Sequence, residues 1–515
     1  VDGSGAPPYR GEIRIADGRI CRVGVRVEPL PGDSRLDAGG RWVAPGFIDC
    51  HSHSDLAIME EGGLDPKILQ GVTTEVSGQC GLSVFPLPRE HRPAWRSISV
   101  IGNPAFDWGW NSAADWIRAL SSRPLALNLR PFIGAGTLRY GIAGDSPAPL
   151  GREGLVRYRE ALEEGFAAGI GGLSFGLIYL PAMFSTRDEL ELAARTAARY
   201  GRPLAVHVRS ESDELEAAVR EMIDLAEQTG VRLHLSHLKA IGRRNNVQLE
   251  AVLGLIERYG LDFDHYPYTW GSTSLLSLVP PWLLREGVDV LLGRLAEPGL
   301  IDELEQLWSG KLPVQPGAPW DNLPELVGWE NIRITGAAHG AADDCLGVPL
   351  DQAAAKRAVS PAGLVCQVLR DAAGDVRMVD EYTQEEMVMS ILCHPAGCIA
   401  SDSLFGPGAH PRVSGCFPRV FQRYVFERNL IRIEDAVRKM TAGPAAWLGL
   451  ADRGLIREGL QADLVVFGSD MAESVSGGSP QRIHAVMVNG ALVVLDGRLT
   501  GERGAGRLAL EGVAG

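Results

Sequence analysis

No stretch of the 515-residue chain approaches the ~18 consecutive apolar residues that a membrane-crossing helix needs. Its first residues also lack the basic, apolar, small-residue order of a secretory leader. A cytoplasmic protein with no membrane partner is therefore expected. Cysteine is sparse, eight residues at irregular spacings, which excludes a disulfide-stapled secreted scaffold. Long runs of one charge are missing too. The formal net charge of -14 is spread along the chain and leaves no basic stripe for phosphates, so nucleic acid is not an expected partner. There is no internal repeat and no low-complexity tract. What remains, 45% hydrophobic and 22% charged residues, is the composition of an ordinary globular protein, long enough for one large domain and a smaller satellite.

From about Gly151 onward, amphipathic stretches alternate with short apolar runs, the rhythm of a parallel sheet. Apolar residues recurring at three and four predict helices over 152–168, 186–200, 211–229 and 247–259. Strands are expected within 42–53, 71–81, 125–136, 169–179, 203–211, 232–240, 261–271 and 397–403. Eight such strands close a (β/α)8 TIM-like barrel, assigned to residues 47–451. Period-two runs and turn residues at 1–46 and 452–515 predict a small β-sandwich domain built from both chain ends. Between the seventh and eighth strands lies an excess of about a hundred residues. Its segment around 279–345, bearing Pro and Trp, is expected to act as a lid at the catalytic face.

The ends of the strands carry the chemistry. His51 and His53 follow the first, Cys80 the second, His207 the fifth, His237 the sixth and Asp402 the eighth. All C-terminal strand ends of such a barrel point into one mouth, so these residues are expected to converge on a metal site. His51 and His53, one residue apart, fall on the same side of an extended chain. Zn²⁺ accepts mixed sulfur and nitrogen ligands and deprotonates a coordinating thiol, which suits Cys80 beside imidazoles. Asp402 can serve as general base and return the proton to a leaving amine. A GxSxG pattern at 172–176 offers Ser174 as a nucleophile, but the run continues through Ile178, Tyr179 and Pro181 before any helix, whereas a nucleophile elbow turns directly into one. Cys393, His394 and Cys398 lack a standard zinc spacing and are read as a loop.

PGFIDCHSHSD (45–55), GVTTEVSGQCG, GLSFGLIYLP, HVRSE, SHLK, YPYTWGST, ASD, HPR (410–412) and KMTAGPA (439–445) occur in this order. The set resembles the D-aminoacylases, or N-acyl-D-amino-acid deacylases, of the amidohydrolase superfamily, from about Val1 to Leu495. The resemblance implies a barrel of the metal-dependent hydrolase type. It implies a tightly held zinc on Cys80, His207 and His237, and a second, weaker position at His51, His53 and Asp402, with Asp402 as catalytic base. Lys239, Arg412, Tyr179 and Tyr268 are then expected around the α-carboxylate of a small N-acyl amino acid, and preference for the D enantiomer follows from the resemblance alone. A cyclic amide or a dipeptide is the alternative substrate class, and a catalytically silent scaffold the remote one. Three departures stand out: Ala135 where the family often carries His, Phe175 where a smaller residue is usual, and Gln79 in place of Asn before the Cys.

Overall fold

A computed structural model describes residues 1–99, 101, 108–315, 319–472 and 481–510. Residues 316–318 of the expected lid, and 473–480 and 511–515 of the expected terminal domain, lie outside the described residues. Eight parallel strands form the centre: β1 (Phe47–Asp49), β2 (Val72–Ser77), β3 (Asn128–Gly134), β4 (Gly172–Gly176), β5 (Leu204–His207), β6 (Leu233–Leu235), β7 (Asp262–His265) and β8 (Gly397–Ile399). They are hydrogen-bonded in chain order. The ring closes through a short parallel pair, Ser52–His53 against Ser403–Leu404, next to a 2.8 Å bond from the Asp402 N–H to the His51 carbonyl. The architecture is the expected (β/α)8 barrel.

Each expected strand span contains one barrel strand, with one division. Trp42–Pro45 pairs antiparallel with Leu464–Ala472, and the chain enters β1 only after Gly46. A Cβ at Gly46 would lie 2.2 Å from the Thr73 hydroxyl oxygen, so the corner requires glycine.

Helices α1 (Arg152–Ala167), α2 (Arg187–Arg199), α3 (Leu215–Thr229) and α4 (Asn246–Tyr259) follow the predicted spans closely. In α2, Leu190, Ala193, Ala194 and Ala197 form the buried stripe, and Thr186 caps the first turn by accepting from the Glu189 N–H. α3 and α4 end on left-handed Gly230 and Gly260. The exception is the start of α3, predicted at 211. Asp321 captures the Glu211 N–H at 2.9 Å and the hydroxyls of Ser210 and Ser212 at 2.6 and 2.5 Å, which holds this stretch out of the helix.

Ile48, Val76, Phe132, Ala205 and Cys398, from five of the barrel strands, pack in one cluster with Trp447. Trp447 comes from the short helix Ala442–Leu448 and stacks on His234 with ring centroids 3.8 Å apart. The inside of the ring is thus a packed core below the catalytic mouth.

The chain ends form a five-stranded antiparallel sheet in the order Arg498–Leu499, Ala491–Leu495, Gln481–Val488, Leu464–Ala472 and Trp42–Pro45. The hairpin Glu12–Ala16 with Arg19–Gly24 packs against it through Ile15, Ile20 and Leu464. Between β7 and β8, Trp270–Ser274, Val376–Glu381 and Ile332–Ala337 build a three-stranded antiparallel sheet. The structured insertion therefore extends beyond 279–345 on both sides, because strand pairing joins its two ends. Among the described residues, no helix is long and apolar enough to cross a membrane.

Sheet and barrel are joined through Asp463. It accepts from Arg453 Nη1 at 2.7 Å, Asn128 Nδ2 at 3.2 Å and the Asn489 N–H at 2.7 Å, and Arg453 also reaches Thr74 Oγ1. Asp463→Ala would leave Arg453 with Asp452 as its carboxylate partner and the buried Asn489 N–H without its acceptor, and a loss of about 1–3 kcal/mol is expected in urea unfolding.

Candidate active site

The six expected metal ligands converge at the mouth. His51, His53, Cys80 and Asp402 each present one ligand atom within 4.8 Å of the others, and Cys80, His207 and His237 do the same. Cys80 is common to both groups, its Sγ standing 3.3 Å from His51 Nε2 and 3.3 Å from His237 Nε2. Asp402 Oδ1 lies 3.4 Å from His51 Nε2 and 3.2 Å from His53 Nε2. Cys80, His237 and Asp402 all have left-handed backbones, with φ of 52°, 35° and 48°. Such conformations cost about 1–3 kcal/mol each in a residue with a side chain, and they persist where the surroundings over-determine them.

The loop carrying Cys80 shows how. Ser174 Oγ donates to the Gly78 carbonyl at 2.5 Å and accepts from the Gly81 N–H at 2.9 Å, so one hydroxyl brackets the cysteine on both sides. Ser174 is fully buried in this structural role, which answers the GxSxG pattern. Gly176 faces the same loop, and a Cβ there would fall 1.9 Å from the Cys80 carbonyl oxygen.

Around these side chains stand residues that orient them. Asp264 accepts from His51 Nδ1 at 3.2 Å, from His234 Nε2 at 2.9 Å and from the His237 N–H at 2.9 Å. The bond to His51 Nδ1 leaves its Nε2 facing Cys80 and Asp402. Glu211 lies 3.1 Å from His237 Nδ1 and accepts from Lys239 Nζ at 2.7 Å. Arg412, fully buried, places Nη1 2.9 Å from Asp402 Oδ2 and its guanidinium 4.5 Å from the Tyr266 ring centre.

The residues present suit a soft divalent cation. His207 is 4% exposed; its Nε2 stands 3.4 Å from Glu211 Oε2 without forming a hydrogen bond, and its Nδ1 and that of His53 have no hydrogen-bond partner. Buried imidazole nitrogens left so are costly unless something else binds them. Burial pushes the Cys80 thiol up, but His51 and His237 outweigh it and hold it well below its ordinary value. Burial pushes the Asp402 carboxyl up as well, and Arg412 and His51 outweigh it, keeping the group ionised. Thiolate, imidazole and carboxylate together are a zinc-type donor set. Cys393, His394 and Cys398 do not appear among the clusters of potential ligands in the described residues.

The mouth opens into a cavity of about 380 Å³ whose wall includes Tyr179, His207, Glu211, His237, Lys239 and Asp402. The inserted segment adds Thr273, Arg285, Trp320 and Asp380. Tyr179 donates or accepts at Thr273 Oγ1, 3.1 Å away, and its ring meets His207 edge-on. The other two expected substrate contacts, Arg412 and Tyr268, have partners of their own. Arg412 pairs with Asp402, and Tyr268 packs edge-on against His410 and under Arg419.

Comparison with known proteins gives the family. The sequence profile of the amidohydrolase family matches residues 35–270 and 370–498. The chain belongs to that family. An N-acyl-D-aspartate deacylase of Alcaligenes xylosoxydans xylosoxydans is 31% identical, covering 100% of this chain and 94% of the relative. A D-aminoacylase of the same organism is 32% identical over 99% of this chain and 95% of its own. The crystal structure of N-acyl-D-glutamate deacylase from Bordetella bronchiseptica, complexed with zinc and a phosphonate inhibitor, superimposes with a TM-score of 0.81 at 29% identity, covering 98% and 97% of the two chains.

In this amidohydrolase several residues at the site had not been singled out in the sequence. Asp264 lies in the DFDHY run of β7, where inward and outward positions alternate, and a strand-end carboxylate there was a readable signal. Glu211 closes the HVRSE motif but was absorbed into a predicted helix. His234 and Lys67 carry no local pattern that sets them apart. Gly176→Ala is expected to displace the Cys80 loop; the stoichiometry of bound divalent metal by atomic emission should fall below half that of the wild type while far-UV circular dichroism is retained.

Proposed function

We propose that this amidohydrolase hydrolyses the amide bond of N-acyl-D-amino acids, releasing a carboxylate and a D-amino acid. The observation that carries the reading is the convergence of Cys80, His207 and His237 beside Asp402, with His207, His237 and Asp402 on the wall of the cavity. The D-aspartate, D-glutamate and D-aminoacylase relatives support the enantiomer and the linear amide. We assign a tightly held zinc to Cys80, His207 and His237, and a second, weaker position to His51, His53 and Asp402. When bound, the metal supplies Lewis-acid polarisation of the amide carbonyl and lowers the pKa of water from 15.7 toward about 7.

The chain's own groups do the rest. Asp402 is an ionised carboxylate held in place by Arg412 and His53, suited to take the proton from the attacking water. It then returns that proton to the amide nitrogen, which leaves as an amine. Tyr179 and Lys239, on the cavity wall, are assigned to the carboxyl end of the substrate. Lys239 already serves Glu211 at 2.7 Å and keeps a further N–H for an incoming carboxylate. Arg412 is assigned to Asp402, and Tyr268 to the packing around His410. Segment 279–345 is assigned the covering role, since Arg285, Pro319 and Trp320 line the cavity. The barrel is assigned to 47–451 and the terminal β-unit to 1–46 with 452–515, in a cytoplasmic enzyme.

Amine release from N-acetyl-D- and N-acetyl-L-amino acids tests the assignment. D substrates are expected to turn over, with activity lost on chelation and restored by zinc, and Asp402→Asn is expected to lower kcat by about 10²–10⁴-fold. Turnover confined to L substrates, or undiminished by chelation and by Asp402→Asn, would refute the reading.

A further inference from the structure

Lys67 lies in a short helix after β1, and its side chain is completely buried. Its ammonium donates to three acceptors: Asp49 Oδ2 at 2.6 Å, Ser401 Oγ at 2.5 Å and Ser403 Oγ at 2.7 Å. Three N–H groups meet three oxygens, so the donor capacity is fully used. The acceptors belong to two parts of the site. Asp49 ends β1, two residues before His51 and four before His53. Ser401 and Ser403 stand on either side of Asp402.

The same network locks the flanking backbone. Ser401 donates its N–H to Asp49 Oδ1 at 2.9 Å and its hydroxyl to Asp49 Oδ2 at 2.5 Å, while the Ser403 hydroxyl donates to Ser401 Oγ at 2.7 Å. Between these anchors Asp402 is held in its left-handed conformation, φ 48°, with its N–H on the His51 carbonyl. Backbone pairing across the seam is short: Ser52–His53 meets Ser403–Leu404 over two residues.

We propose that Lys67 is a positioning residue for Asp402: its buried ammonium, bound to Asp49, Ser401 and Ser403, sets the distance between the catalytic carboxylate and the His51/His53 pair. Lys67 touches neither cavity nor ligand, so it acts through the backbone on each side of Asp402. The proposal rests on the reading of Asp402 as the proton carrier. An ordinary buried ion pair would stabilise the barrel and leave the chemical step alone, and that difference is measurable.

Two variants separate these roles. Lys67→Met keeps the length of the side chain but leaves Asp49 buried without a counter-ion, whereas Lys67→Met/Asp49→Asn removes both charges and so relieves the fold of an unpaired one. In the zinc-replete double variant, kcat toward an N-acetyl-D-amino acid is expected to fall about 10- to 100-fold with KM changed less than about threefold, the signature of a misplaced reacting group. Independently of activity, amide hydrogen exchange in the peptide 397–405 should accelerate relative to peptides from α2 and α3 in both variants that fold. Wild-type kcat with wild-type exchange in 397–405 overturns the proposal, and so does failure of both variants to fold, which would make the ammonium a support of the barrel alone. If the wild type turns over no N-acyl-D-amino acid, the function assigned above fails, and the exchange arm still decides whether Lys67 holds the Asp402 segment.

Discussion

Asp264 accepts from three groups at once, the rings of His51 and His234 and the backbone N–H of His237, and so ties β1, the end of β6 and β7 around a single carboxylate. The constraint behind it governs the whole mouth. Five acidic or thiol groups, Asp49, Cys80, Glu211, Asp264 and Asp402, are buried within one site, and an ion in such surroundings is tolerated only when compensated by its neighbours. Each has found a partner: Lys67 for Asp49, His51 and His237 for Cys80, Lys239 for Glu211 and Arg412 for Asp402. Burial alone would push Asp264 up, and His51 and His234 outweigh it, holding the carboxylate far below its ordinary range. Charge pairing thus orders these five groups before any cation is considered, while both ring nitrogens of His207 and Nδ1 of His53 are among the buried nitrogens without a hydrogen bond.

That order depends on backbone precision as well as on charge. Left-handed conformations at Cys80, His237 and Asp402 each meet contacts from outside the segment that bears them: from Ser174 and Gly176 of β4, from Asp264 of β7, and, through the flanking Ser401 and Ser403, from Lys67 and Asp49. Below the site, Trp447 stacked on His234 closes the packed interior, so the ligands stand on a dense floor. Above it, the inserted sheet brings Thr273 and Asp380 to the cavity wall, and the turn after Pro281–Leu284 brings Arg285.

The barrel was legible because its signals are local. Apolar spacing in α1, α2 and α4, and apolar runs that end in His, Cys or Asp, place elements and ligands with errors of a few residues. Glu211 was lost to a helix prediction because the agent that keeps it out of the helix, Asp321, lies 110 residues away. Arg412 was expected at the substrate because a free guanidinium suits a carboxylate, and its capture by Asp402 depends on how the segment after β8 folds back. Lys67 looks in the sequence like any charged residue of a short helix.

By itself, then, the amino-acid order determined the strands, the helices and which side chains leave the strand ends, since period and burial pattern are properties of neighbouring residues. It also sufficed for which His, Cys and Asp side chains meet, because a parallel barrel sends every C-terminal strand end to one mouth. Only the tertiary structure decided which ions pair, which hydroxyl brackets Cys80 and which cations remain for a substrate. Those outcomes depend on distances between residues remote in sequence, and in a buried site a few tenths of an ångström separate a satisfied charge from a costly one.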